Sequence, residues 1–240
     1  MTLFGELQQW LADQPDDQPL TALEQQGYVA RHLEFFAACQ RRYVRALEHR
    51  EARALMSRRR AAGETLYDAL ASDFGRQTYL RVGEALRLVV FSGCQRLVMV
   101  GCGPFPAAAL YVYDHESAPD ISALDNDANA VEMARQVVAV HAPERVHVFE
   151  SDGSRYDYSG ADVVYIANLV SPKADVLARI ADTASSATRV ILRDPFAYGK
   201  LFAERGLADL DGRFVVTRIG EDNRHFFSKH FLLARRPVGS

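Results

Sequence analysis

The chain has 240 residues, is 48% hydrophobic and 25% charged, and carries a formal net charge of -3. Such a composition suits a globular protein with a substantial core. It argues against nucleic-acid binding through phosphate contacts, because acidic residues are scattered and the one basic run is Arg58-Arg59-Arg60. No apolar stretch reaches the ~18 residues of a membrane span, and no basic, apolar leader opens the chain. Cys39, Cys94 and Cys102 form neither a CxxC pair nor an even set, so the expectation is a cytoplasmic protein without disulfides or a thiolate metal site.

The N-terminal part reads as helical. After a Pro-rich turn at Pro15 to Pro19, Val29, Leu33, Phe36, Tyr43, Val44 and Leu47 recur at the spacing of one helix face. A second helix is expected from about Glu51 to Arg60, where Gly63 interrupts. A third is expected over Tyr79 to Phe91 with Leu80, Ala85, Leu86 and Val89 inward. Residues 1–92 are thus expected to form a helical cap, with the irregular segment from Gly63 to Thr78 closing as a lid over a domain of residues 93–240.

From Arg96 the period changes. The apolar runs Leu97–Val100, Ile121–Leu124, Val146–Phe149, Val163–Ile166 and Val190–Leu192 alternate with helical segments, the pattern of a parallel sheet covered on both faces. Arg213–Thr217 and His230–Ala234 follow with only a polar turn between them, which predicts an antiparallel hairpin. This layout resembles the class I S-adenosylmethionine (SAM)-dependent methyltransferases. The resemblance implies an α/β, Rossmann-like, seven-stranded sheet in the order 3-2-1-4-5-7-6.

The first strand runs into Gly101-Cys102-Gly103-Pro104-Phe105-Pro106, where two glycines let backbone approach a ligand and the next helix offers free N–H groups to a carboxylate. A tight strand-to-helix turn with no ligand is the plain alternative. Asp125, with Asn126 beside it, ends the second strand 24 residues after Gly101, where Rossmann-type sites place an acid on ribose hydroxyls. A dinucleotide fits less well, since Phe105 or Pro106 replaces the third glycine of that fingerprint. Asp152 stands where an adenine amino group is often held, or else makes an Asx-turn into Gly153. Asn168 closes the fourth strand and is a candidate to hold the amino acid part of SAM, or to cap the next helix, for which Ser171 is better placed. Arg193 and Asp194 end the fifth strand, either as an internal pair or in a catalytic role. No metal is expected, as the 7 histidines are dispersed and His225 and His230 lack helix-face spacing.

Val98 to Asp127 with its Gly-Cys-Gly-Pro-Phe-Pro loop, Val163 to Val170, Val190 to Gly199 and the closing Leu232-Leu233-Ala234-Arg235-Arg236 resemble the nicotianamine synthase family. That superfamily includes synthases of staphylopine-type metallophores and enzymes that cyclise SAM to azetidine-2-carboxylate. Arg58-Arg59-Arg60-x-x-Gly63, Tyr67, Asp73-Phe74-Gly75 and Tyr79 are similar to the lid segment of the metallophore synthases. The resemblance implies use of the 3-amino-3-carboxypropyl arm of SAM, with release of 5′-methylthioadenosine, by self-cyclisation or by transfer to a small amine. A small cap favours the smaller acceptor. Tyr67, Tyr79 or Glu64 would then supply or orient a general base, with the tyrosines covering the sulfonium. An ordinary small-molecule methyltransferase and a SAM-binding sensor are the competing readings. The partner in each case is a small molecule, and a homodimer stays open.

Overall fold

The computed structural model describes residues 3–14, 18–117, 119–210, 212–221 and 227–236. Helices α1 (Leu3–Ala12), α2 (Gln18–Gln25), α3 (Tyr28–Met56), α4 (Leu66–Ala69) and α5 (Asp73–Leu86) come first. Strands and helices then alternate as β1 (Arg96–Val100), α6 (Ala107–His115), β2 (Asp120–Asp125), α7 (Ala128–His141), β3 (Val146–Glu150), β4 (Val163–Ile166), α8 (Lys173–Thr183) and β5 (Arg189–Pro195). A 3-10 turn at Ala197–Leu201 precedes the closing strands β6 (Phe214–Ile219) and β7 (Ser228–Arg235). Part of the expected Pro15 to Pro19 turn, most of the hairpin turn and His225 lie outside the described residues.

The sheet has the order β3-β2-β1-β4-β5-β7-β6, the one that the resemblance implied. Strands β1 to β5 pair in parallel, and β7 runs antiparallel to both β5 and β6. The apolar runs are continuous because both faces are covered. Leu97, Met99, Ile121, Tyr165 and Ile191 pack with α5, α6 and α7, whereas Val98, Val100, Leu124, Ile166 and Leu192 pack with α8. Ala52 and Leu55 of α3 and Leu66 and Leu70 beside α4 join the first of these clusters, so the N-terminal helices share the core of the sheet.

Three local expectations are corrected. The two helices expected on either side of Glu51 are the single helix α3, because neither Gly nor Pro falls between Tyr28 and Met56. Helix α5 starts at Asp73, not Tyr79: Ser72 accepts from the Gly75 N–H at 3.1 Å, and buried Glu51 accepts from the Ala71 N–H at 2.6 Å and from the Ser72 hydroxyl. With that start, Leu80 is 45% exposed and Arg81 takes the inward place.

The segment expected to act as a lid is bolted to the sheet's helical cover. Arg60 donates to both Asp114 carboxylate oxygens at 2.8 and 2.9 Å and to the His141 carbonyl at 2.8 Å. The Leu66 N–H reaches Asp114 at 3.1 Å, and Thr65 with Asp68 forms a capping box at the start of α4. No helix among the described residues is long and apolar enough to cross a membrane.

Candidate active site

A cleft of about 850 Å³ opens at the C-terminal ends of the parallel strands. Its floor is made by the loops after β1, β2, β3 and β4 and by Arg193 of β5, and its roof by α1, α3 and α5. This is where open α/β sheets bind ligands.

The β1 loop shows why its glycines are needed. Gly101 has φ 76° and a β-carbon there would lie 2.5 Å from Val170 Cγ2, while Gly103 has φ 61°. The N–H groups of Gly101 and Cys102 both donate to the Leu124 carbonyl at 2.9 Å, and the Gly103 N–H donates to Asp125 Oδ2 at 2.8 Å. Asp125 Oδ1 accepts from the Asp127 N–H at 3.0 Å. The acid is thus fixed in orientation by two backbone bonds, and its remaining lone pairs face the cleft with Asn126 beside it.

Gly101, Gly103, Pro104, Asp125, Asn126, Asp152 and Asn168 all line the cleft. Asp152 accepts from the Ser154 N–H and hydroxyl, each at 2.8 Å, so the Asx-turn is formed while the residue also borders the cleft. Those bonds hold its carboxyl below the usual range. Asn168 Oδ1 is buried without a hydrogen-bond partner, an orphaned acceptor at the wall of the cleft. The Cys102 side chain turns the other way, into the core, where burial raises its thiol pKa. Its contribution to the loop is therefore through the backbone.

Tyr67, Tyr79 and Glu64 are not in the cleft. Tyr79 is 3% exposed, donates to Asp114 Oδ2 at 3.3 Å and packs its ring 4.9 Å from that of Tyr111. Burial drives its phenol pKa upward, the wrong direction for a base. Tyr67 is an exposed residue whose ring lies 6.4 Å from that of Tyr79. Glu64 pairs with Arg58 and accepts from the Ala61 N–H. The cause is common: α4 and α5 pack on α6, so these residues stiffen the cover of the sheet.

The roof supplies a group that sequence reasoning missed. Glu48 of α3 lines the cleft, and burial first, then the charge of Asp125, raises its carboxyl pKa to about 8, against a smaller opposing effect of Arg193 and Arg45. Helix α3 is tied down over this spot by Arg45, which pairs with Asp127 at 2.8 Å. Opposite the acids, Arg81 Nη2 and Arg193 Nε both donate to Ser228 Oγ, at 2.7 and 2.8 Å. Arg193 does not pair with Asp194. Asp194 instead bonds Lys173 at 3.2 Å in a fully buried ion pair and accepts from the Gly206 and Leu207 N–H groups at 2.7 and 3.1 Å. Ser171, expected to cap α8, instead donates its hydroxyl to Glu204 at 2.6 Å, and α8 has no side-chain cap. Among the described residues no group of three or more His, Cys, Asp or Glu is placed to hold a metal.

No family model matches the chain, and no curated protein matches it. Solved structures do. The nicotianamine synthase MtNAS in complex with MTA and tNA superposes with a TM-score of 0.81 at 20% identity, covering 99% of this chain and 88% of that one. The fold is that of MtNAS from end to end. A Glu-to-Gln variant of MtNAS in complex with S-adenosylmethionine gives a TM-score of 0.73 at 16% identity over 99% of this chain and 100% of the other. The mitomycin 7-O-methyltransferase MmcR gives 0.56 at 18% identity, over 71% of this chain and 56% of the other. The sheet is therefore of the class I methyltransferase kind, and the likeness to MtNAS extends through the helical roof as well.

Proposed function

We propose that the cleft binds SAM and that the protein uses its 3-amino-3-carboxypropyl arm. In this reaction an amine attacks the γ-carbon, the bond from that carbon to sulfur breaks, the electron pair stays on sulfur, and neutral 5′-methylthioadenosine leaves. Asp125 receives the ribose hydroxyls, and the glycine loop lets the nucleoside approach the backbone. Asn168 presents its orphaned acceptor to the amino acid part of the substrate, where an ammonium or amine N–H satisfies it.

The observation that carries the reading is Glu48, a cleft carboxyl with its pKa raised to about 8. An attacking amine must lose a proton, and α-amines titrate near 7.7–8.0. A base matched to that value takes the proton at little thermodynamic cost. Glu48 therefore takes the role for which Tyr67, Tyr79 and Glu64 were candidates. The full-length likeness to MtNAS, whose structures hold MTA or S-adenosylmethionine, supports the same reading.

The roof encloses more space than a small cap implies. At about 850 Å³ the cleft lies high in the usual ~300–1,000 Å³ range of small-molecule sites, which gives room for a second small molecule beside the nucleoside. Incubation with SAM alone, then with added amines, and chromatography with mass detection tests the reading. Methylthioadenosine with azetidine-2-carboxylate identifies cyclisation, and methylthioadenosine that forms only with an added amine identifies transfer. S-adenosylhomocysteine as the sole nucleoside product establishes methyl transfer instead.

A further inference from the structure

Helix α3 carries an arginine beside its cleft carboxyl. Arg45 and Glu48 are three residues apart and both line the cleft, so they share one helix face with their β-carbons about 5–6 Å apart. A guanidinium and a carboxylate at that spacing are placed to pair. Among the described residues these two form no ion pair. Arg45 Nη1 instead leaves its own helix and reaches Oδ2 of Asp127, the N-cap of α7, at 2.8 Å.

The electrostatics of Glu48 agree with that geometry. Burial and then Asp125 of β2 raise its pKa, Arg193 of β5 lowers it, and Arg45 lowers it least although it lies on the same helix. The other groups around the carboxyl do not take the place of Arg45. Cys102 of the glycine loop is a neutral thiol turned into the core, Arg81 borders the cleft from α5, and Glu51 accepts from the Ala71 N–H and the Ser72 hydroxyl. His49 feels both members of the Arg45–Asp127 pair. Burial first, then Arg53 and Arg45, lowers its pKa, so near pH 8 it is neutral and leaves Asp127 to Arg45.

Asp127 is built to hold a cation in a fixed place. Its Oδ1 accepts from the Asn129 and Ala130 N–H groups at 2.9 and 3.4 Å, at the helix end where the dipole favours a carboxylate, and its Oδ2 is turned to Arg45. Stability does not account for the pair, since the Arg45 side chain is 55% exposed and exposed ion pairs contribute little. Direction does. A guanidinium within ~4–6 Å of a carboxyl lowers its pKa by about 1–3, which would return Glu48 towards an ordinary carboxylate.

We propose that Asp127 is a positioning residue: by drawing Arg45 to α7 it keeps a guanidinium off Glu48 and leaves that carboxyl able to take the proton of the attacking amine. This rests on the function proposed above and adds to it a residue that acts through another.

The test uses Asp127→Asn, Arg45→Gln and the double variant. Asparagine caps a helix as well as aspartate does, so Asp127→Asn keeps the start of α7 and loses the charge that holds Arg45. One readout is the NMR titration of the Glu48 carboxyl carbon in the ligand-free protein, assigned by its absence from Glu48→Gln. The other is the pH dependence of kcat/KM for methylthioadenosine formation. In Asp127→Asn both midpoints fall from about 8 by about one pH unit or more, and the plateau rate drops because a weaker base assists less. Arg45→Gln keeps or raises the midpoints, and the double variant follows Arg45→Gln. Midpoints unmoved in Asp127→Asn, or a fall in either protein that lacks Arg45, overturn the proposal. The NMR titration needs no turnover. S-adenosylhomocysteine from wild type would remove the proposed reaction and leave the titration result standing, so the two failures are distinguishable.

Discussion

A β-carbon added to Gly103 would lie 2.8 Å from Glu48 Oε2, so the glycine of the β1 loop and the carboxyl of α3 occupy adjoining ground across the cleft. Gly103→Ala therefore meets two obstacles, the left-handed backbone at φ 61° and the carboxyl itself. The backbone alone costs roughly 1–2 kcal/mol. Denaturant unfolding should show at least that loss, and SAM binding should weaken as Glu48 is pushed from its place.

Glu48→Gln removes the proposed base while keeping its shape. The rate of methylthioadenosine formation should fall by about 10²–10⁴-fold with SAM affinity largely retained. In wild type, kcat/KM should rise with pH up to about 8 as Glu48 loses its proton, and this limb should be absent from the variant. The stability effect has a definite sign. Because the folded pKa is raised above the unfolded value of 4.5, the folded state binds the extra proton, and stability falls between pH 4.5 and about 8. Glu48→Gln should therefore unfold later than wild type at pH 8, by on the order of 1–3 kcal/mol. Equal pH profiles of rate and stability in the two proteins would remove Glu48 from the mechanism.

Asn168→Ala takes away an acceptor that has no partner in the protein. The ligand-free variant should be as stable as wild type or slightly more so, since an unsatisfied buried group costs about 1–3 kcal/mol. Turnover should drop more than SAM affinity does. A destabilised variant with normal turnover would show that Asn168 serves the fold.

Asp125→Ala should weaken SAM binding by roughly 1.5–3 kcal/mol, the worth of a charge-assisted bond. Part of any loss reflects the freed Gly103 and Asp127 N–H groups, which Asp125 also holds. Asp125→Asn keeps an acceptor for one of them, so comparison of the two variants by calorimetry separates ligand contact from loop order. SAM affinity unchanged in both variants would place the ribose elsewhere.

Ligand-induced protection in hydrogen exchange should appear in α1 and in the middle of α3, because Gln8, Gln40 and Glu48 face the cleft and Gln8 bonds Gln40 at 2.6 Å. The segment from Gly63 to Leu70, fastened through Asp114, should change little. Protection that spreads from Phe74 and Thr78, which border the cleft, into that segment would identify it as the lid.

The sheet was legible because parallel strands must be apolar on both faces, and that requirement writes itself into runs such as Leu97–Val100 and Val163–Ile166. Gly101, Gly103, Asp125 and Asn168 were legible because strand order fixes which loops meet. Glu48 was not, since a glutamate in a helix rich in Arg and Glu reads as part of a solvated face. A signal was present: Glu48 and Glu51 lie at helical spacing from Val44, Ala52 and Leu55, within the inward stripe. Arg81 was missed through a small error of phase. Placing the start of α5 at Tyr79 turned Leu80 inward, whereas capping by Ser72 and Glu51, a contact between distant parts of the chain, sets the true phase. Tyr79, expected to cover the sulfonium, lies on the buried face of α5 that meets α6.

The continuity of α3 sets where the cleft is stiff. Ala52 and Leu55 fix one end of the helix in the core of the sheet, and Val29 fixes the other among Leu11, Leu20, Leu201 and Phe202. Glu48 lies ~10 Å along the axis from Leu55. A rod clamped at both ends resists swinging, so the carboxyl over the glycine loop keeps a nearly constant address whatever enters the cleft.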